Sequence, residues 1–261
     1  MRNHVHAPPG SFSLAVELYS TLVANFEKLR LTNTVGASGG VQPKDVTAVP
    51  GLYFNTDNRD GMEFSIGSKE SLRAYRPTLN SYQYGEATAL RKLSLLVNNT
   101  AAAAKFAAIA HELKELLQTV LWDNTAMFFK ALPYRKAKIQ LSRDASGASD
   151  PCGHHRAVDA DAQDNPGPDT AALGNGYQSL LVKVRELHGY TPWYFNIPSD
   201  DKLVAWDKLM DPSGFYAPHG LTTAERCHPK FEIDYLGKHE CLWNGPSWSV
   251  VARSPSICDR K

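Results

Sequence analysis

Over residues 11–30, Phe12, Ala15, Val16, Tyr19, Leu22, Val23, Phe26 and Leu29 recur at three- and four-residue spacing. That is the period of an α-helix with one broad apolar face, and Ser11 is suited to cap its N-terminus. The period is lost over 31–50, where Gly36, Gly39, Gly40, Pro43 and Pro50 predict a loop, and Leu52-Tyr53-Phe54 predicts a short strand at its end. Helical spacing returns over 81–97 through Tyr84, Ala87, Leu90, Leu93 and Val97. It breaks at Asn98-Asn99 and resumes over 101–122 through Ala104, Ala108, Leu113, Leu116, Leu117, Val120 and Leu121. Two long helices joined by so short a link predict an antiparallel αα-hairpin. A shorter helix is predicted over 201–210 on Leu203, Trp206, Leu209 and Met210, stopped by Asp211-Pro212.

Two segments stand outside this pattern. Residues 136–179 hold Gly147, Pro151, Gly153, Pro166, Gly167, Pro168, six aspartates and almost no large apolar residue. Such a stretch buries too little apolar surface to offset its ordering entropy, which predicts a disordered insertion within a single domain. Residues 249–261 form an atypical tail.

The other departure is chemical. Residues 53–86 read YFNTDNRDGMEFSIG, a basic linker, and YRPTLNSYQYGE, which gathers Asp57, Asp60, Glu63, Glu86, Arg59, Arg76 and Asn80 among tyrosines and glycines. Carboxylates and amides pair with sugar hydroxyls, and aromatic faces cover the apolar side of a sugar ring. A carboxylic acid set among aromatics can have its pKa raised enough to donate a proton near neutrality. A second patch of the same chemistry, with Glu186, His188, Trp193, Tyr194 and Asn196, spans 184–198. Loops at 214–226 and 239–248 add further polar and aromatic groups.

Composition narrows the partners. Of the 261 residues 43% are apolar, enough for a real core, and 28 basic against 27 acidic residues leave a net charge of +1 that gives no reason to expect nucleic acid. No apolar run is long enough to span a bilayer, and the first ten residues are unlike a signal peptide, so a cytosolic location is expected by default. The sequon Asn98-Asn99-Thr100 is of a kind common by chance. Cys152, Cys227, Cys241 and Cys258 are too few and scattered for a disulfide scaffold and are expected as free thiols. Cys227-His228 with His239-Glu240-Cys241 offers four soft ligands, but neither pair has zinc-site spacing, so no metal is expected.

Taken in order, DGMEFSIG, YRPTLNSYQYGEA, RELHGYTPWYFN, GFYAPHGLTTAER and HECLWNGPSW resemble the mannosylglycerate-hydrolase-like group of six-hairpin glycosidases, related to processing α-glucosidase I and more distantly to trehalase. The resemblance covers most of 50–130 and 184–248. It implies an all-α fold, here a partial (α/α)6 toroid with long loops, and inverting hydrolysis of an α-glycoside without a cofactor. By the family motif Gly61-Met62-Glu63, Glu63 is the expected general acid, with Asp60 as the fallback. Tyr53, Asp57, Arg59, Arg76, Asn80, Tyr82, Trp193, Glu240, Trp243 and Asn244 are expected to line the carbohydrate subsite. Relatives place the general base beyond the last block, so the chain is expected to be an incomplete catalytic domain. The alternative is a carbohydrate-binding remnant that does not turn over.

Overall fold

The computed structural model of the chain describes residues 11–34, 47–56, 62, 64–67, 73–134, 152, 176–233 and 242–247. Three long helices dominate: α1 (Ser11–Asn33), α2 (Pro77–Leu96) and α3 (Thr100–Val120). Pro77 at its first turn, where a missing N–H costs nothing, starts α2. Asn98 ends the first arm of the hairpin in the left-handed region (φ 57°), and the Asn99 side chain accepts from the Ala102 amide at 3.0 Å to cap the second. The expected αα-hairpin is therefore present, with α1 packed on α2.

The buried stripe of α3 is Ala103, Phe106, Ile109, Ala110, Leu113, Leu117 and Val120, whereas Ala104 and Ala108 face solvent. The face predicted through those two alanines is thus rotated. Phe106 and Ile109 remove far more apolar area from water, and they decide which side turns inward. Phe26 of α1 meets the edge of the Phe106 ring, with centroids 5.5 Å apart, and also packs edge-on against Tyr53. The first half of α1 leaves Leu14, Val16 and Leu18 exposed.

Short strands brace the helices at the loop end. β1 (Phe54–Thr56), β2 (Arg73–Tyr75) and β5 (Leu132–Pro133) form one antiparallel sheet in the order β1-β2-β5, with Phe54 opposite Tyr75 and Tyr75 opposite Leu132. β3 (Trp122–Asp123) and β4 (Phe128–Phe129) make a hairpin directly after α3. Beyond them come a 3-10 turn at Leu187–Tyr190, α4 (Thr191–Tyr194), a 3-10 helix at Asp200–Lys208 and the small hairpin β6 (Tyr216–Ala217) and β7 (Gly220–Leu221). The element predicted over 201–210 thus exists, but with 3-10 geometry.

One expectation is corrected. Cys152 and Cys227, expected as free thiols, are joined in a disulfide with Cα atoms 5.4 Å apart; 75 residues separate them, and only the fold brings them together. Cys241 and Cys258 lie outside the described residues. Most of the insertion predicted over 136–179 also lies outside them, but its last residues pack. Tyr177 donates to the Ala48 carbonyl (3.0 Å), and the Gln178 amide both donates to Trp122 O (2.7 Å) and accepts from Asn124 N (3.0 Å).

Candidate active site

Pairing of β1 with β2 pins both ends of the 57–72 stretch. Within it Met62, Ser65, Ile66 and Gly67 are buried, so the chain on both sides of residue 63 is anchored. Phe64 is held at φ 61°. A bulky aromatic in the left-handed region is strained, and such strain gathers at functional sites. Among the described residues three other non-glycine positions share positive φ; two of them, Asn98 and Asn196, are asparagines, the type that tolerates it best.

Gly67 connects this stretch to the second patch. Its amide donates to Glu186 Oε1 at 3.1 Å, and the other carboxylate oxygen lies 3.1 Å from His188 Nε2. Burial opposes the charge on Glu186, yet the His188 hydrogen bond, the His188 and Arg76 charges and the Gly67 amide together hold its carboxyl below the ordinary range. A bridge to Ala224 fixes the Glu186 backbone, and Thr223 Oγ1 accepts from Gly245 N at 2.9 Å, which ties the 242–247 loop to the same wall.

Beneath this wall lie two buried ion pairs that the residue pattern did not reveal. Arg185 Nη1 meets Glu225 Oε2 at 2.7 Å, Glu225 also accepts from the Arg185 amide at 2.8 Å, and Arg185 Nε donates to Ala126 O at 3.0 Å. Lys130 Nζ lies 3.3 Å from Asp123 Oδ2, and burial lowers the lysine pKa to about 8 against the pull of Asp123. The available signal was a lone lysine between Phe128-Phe129 and Ala131-Leu132, and Arg185-Glu186 after Leu180-Leu181-Val182. A charge inside an apolar run asks for a partner.

The predicted site residues separate into three groups. Glu63, Asp60, Asp57, Arg59 and Glu240 lie outside the described residues. Tyr53 and Asn80, expected as sugar contacts, are engaged within the scaffold. Asn80 is fully buried and spends its amide on Tyr53 N (2.8 Å), Tyr53 O (2.9 Å) and Arg76 O (2.9 Å), while the Tyr53 ring sits in the core, where burial pushes its hydroxyl pKa up. The third group is Arg76, Asn244, Trp243, Trp193 and Tyr82. Arg76 is buried at the start of α2 beside Glu186, and Asn244 is buried with Nδ2 3.4 Å from Glu232 Oε2. Trp243 is half-buried next to it. Trp193 is half-buried in an aromatic cluster with Phe129, Tyr190 and Trp206, and Tyr82 is exposed with Phe195 against its edge.

Cys152, Cys227 and Glu225 present their ligand atoms within 4.8 Å of one another, but disulfide sulfurs lack the thiolate a metal needs. His228 Nδ1 accepts from the Lys230 amide at 3.1 Å, and His239, Glu240 and Cys241 are outside the described residues. Among the described residues, no helix is long and apolar enough to cross a membrane.

Long helices with only a few short strands make this an all-α domain of the six-hairpin glycosidase type. The chain belongs to the mannosylglycerate hydrolase MGH1-like glycoside hydrolase domain family, whose model matches residues 13–253. Among solved structures it is similar to one titled a sialidase, at 30% identity and TM-score 0.63, over 92% of this chain and 17% of that one. It shares its fold with the GH63 mannosylglycerate hydrolase of Thermus thermophilus, solved with glucose, at 14% identity and TM-score 0.57, over 91% of this chain and 53% of the other. The chain therefore spans about a sixth and about half of these two proteins. No curated protein matches it.

Proposed function

We propose that the chain carries the general-acid half of an inverting glycoside hydrolase that cleaves α-glycosides, with Glu63 as the acid and Asp60 as the fallback. Family membership over 13–253 supports the glycosidase class, and the positive φ of Phe64, immediately after Glu63, is the observation that supports this position. In the reaction, the Glu63 carboxyl protonates the glycosidic oxygen as its bond to the anomeric carbon breaks. Water adds to the opposite face and gives its proton to a second carboxylate, which inversion places roughly 6.5–9.5 Å from the acid. Glu186 and Glu225 are committed to His188 and Arg185, so neither of these two is assigned as that base. Arg59, Asp57, Arg76, Tyr82, Trp193, Glu240, Trp243 and Asn244 are the proposed sugar wall.

A second reading, a carbohydrate-binding module without turnover, draws on that same commitment of Glu186 and Glu225. Turnover separates the two. The chain is incubated with α-glycosides that include mannosylglycerate and glucosylglycerate, and released sugar is followed alongside binding. Any hydrolysis is expected to drop by about two to four orders of magnitude in Glu63→Gln, with binding kept. Undiminished turnover in Glu63→Gln removes Glu63 from the role, and binding without turnover selects the second reading.

A further inference from the structure

Asn98-Asn99-Thr100 is the one Asn-X-Ser/Thr triplet in the 261 residues, and the fold sets it at the tip of the αα-hairpin, between α2 and α3. All three residues are exposed. The turn is a Schellman motif: Asn98 stands at φ 57°, its amide donates to the Leu95 carbonyl (3.1 Å), and the Asn99 amide donates to the Ser94 carbonyl (2.8 Å). Asn99 engages its side chain with the Ala102 amide to cap α3. The turn therefore uses the backbone of Asn98 and the side chain of Asn99. Among the described residues nothing bonds the side-chain amide of Asn98 or the hydroxyl of Thr100. A group attached at Asn98 Nδ2 breaks no hydrogen bond of the fold.

A second, independent observation concerns the compartment. Cys152 and Cys227, 75 residues apart, are joined in a disulfide, and the Cys227 amide is fixed on the Ser213 carbonyl at 2.9 Å. A bond between loops so far apart in sequence has none of the spacing of a Cys-X-X-Cys redox motif and is a structural cross-link. Structural disulfides persist in an oxidising lumen or outside the cell and are rare in a reducing cytosol. That oxidising space is also where Asn-X-Ser/Thr triplets are glycosylated, on surface loops of exported proteins. Chance frequency gives such a triplet no weight on sequence alone. Its weight here comes from an oxidised cysteine pair in the same chain and from an exposed turn that leaves the acceptor amide unengaged.

We propose that Asn98 is an N-glycosylation site, modified in an oxidising secretory compartment by transfer from a lipid-linked oligosaccharide diphosphate. In that step a bond forms between Asn98 Nδ2 and the anomeric carbon of the oligosaccharide. The bond from that carbon to the diphosphate oxygen breaks, and the lipid diphosphate leaves with the electron pair. The proton lost from Nδ2 goes to a base of the transferase, and no oxidant or reductant takes part. Thr100 completes the triplet that the transferase reads, and it is the member the turn does not require. The location differs from the cytosolic one expected by default, and the inference is independent of which residue is the general acid.

The test expresses the protein from its natural gene in its own cells and blocks free thiols by alkylation before lysis. Mass spectrometry then follows the tryptic peptide 93–105, cut after Lys92 and Lys105, with and without peptide N-glycosidase in heavy-oxygen water. In wild type this peptide is expected to carry a glycan and to appear after the glycosidase with Asn98 converted to a labelled aspartate, while Cys152 and Cys227 resist alkylation. Asn98→Gly, which suits the left-handed turn, and Thr100→Ala, which leaves turn and cap in place, are expected to abolish the glycan. Thr100→Ser is expected to keep it. An unmodified Asn98 in wild-type protein whose Cys152–Cys227 bond is intact overturns the proposal, since the chain has then met the oxidising space without being modified. Alkylated Cys152 and Cys227 beside an unmodified Asn98 overturn it at the compartment itself. A glycan on Asn98 that persists in Thr100→Ala overturns the triplet as what is read. Wild type alone decides the first two of these outcomes, so the proposal can fail whether or not a variant folds.

Discussion

Replacing Glu225 by alanine removes the carboxylate that a buried guanidinium meets at 2.7 Å. Glu225 is fully buried, and it satisfies both Nη1 and the backbone N–H of Arg185, whose side chain is 6% exposed. After the substitution Arg185 keeps the Ala126 carbonyl but loses the Glu225 carboxylate. Removing one partner of a buried pair costs about 3–5 kcal/mol, because the remaining charge stays out of water without compensation. For a chain of this size each kcal/mol moves the melting midpoint by about 2–4 °C, so the expected drop is roughly 6–20 °C. Urea denaturation monitored by circular dichroism gives the free energy directly, and calorimetry gives the midpoint. The double variant Arg185→Met/Glu225→Leu, which removes the charge as well as its partner, is expected to recover most of the loss. A loss under about 1 kcal/mol in Glu225→Ala, the range of an exposed pair, would refute the claim that this pair is buried as a unit.

Two further expectations follow from the scaffold. Burial holds Lys130 at about 8, below its ordinary 10.5, so the unfolded chain binds more protons across that interval and stability rises with pH from about 8. Near pH 10 the gain is opposed as Tyr53 and Tyr75, whose hydroxyls burial pushes up, begin to ionise in the unfolded chain. Denaturation midpoints at pH 7, 8, 9 and 10 test this, and Lys130→Met is expected to flatten the rise. Asn80→Ala removes the side chain that meets Tyr53 N and O and is expected to cost about 2–6 kcal/mol, at roughly 1–3 per stranded buried group. A urea titration showing no loss would return Asn80 to the candidate sugar contacts.

The residue pattern by itself determined where α1, α2 and α3 form, because a 3.6-residue apolar period over twenty positions has no competing explanation, and Asn98-Asn99 marks the turn between two of them. It also determined the family, since five separated blocks in a fixed order identify a resemblance that no single block carries. Tertiary structure alone decided the rest. The strands have two or three residues, too few to show a period, and they exist because partners such as Tyr75 and Leu132 lie opposite them. Tyr53 and Asn80 have the right types for a sugar site and equally the right types to pin a backbone; only burial and bond partners distinguish the two uses. Pairing of Cys152 with Cys227 and of Arg185 with Glu225 joins positions 75 and 40 residues apart. Local sequence does not name the partner in such contacts, because the energy that favours them, removal of charge and apolar surface from water, arises only when the folded chain closes around them.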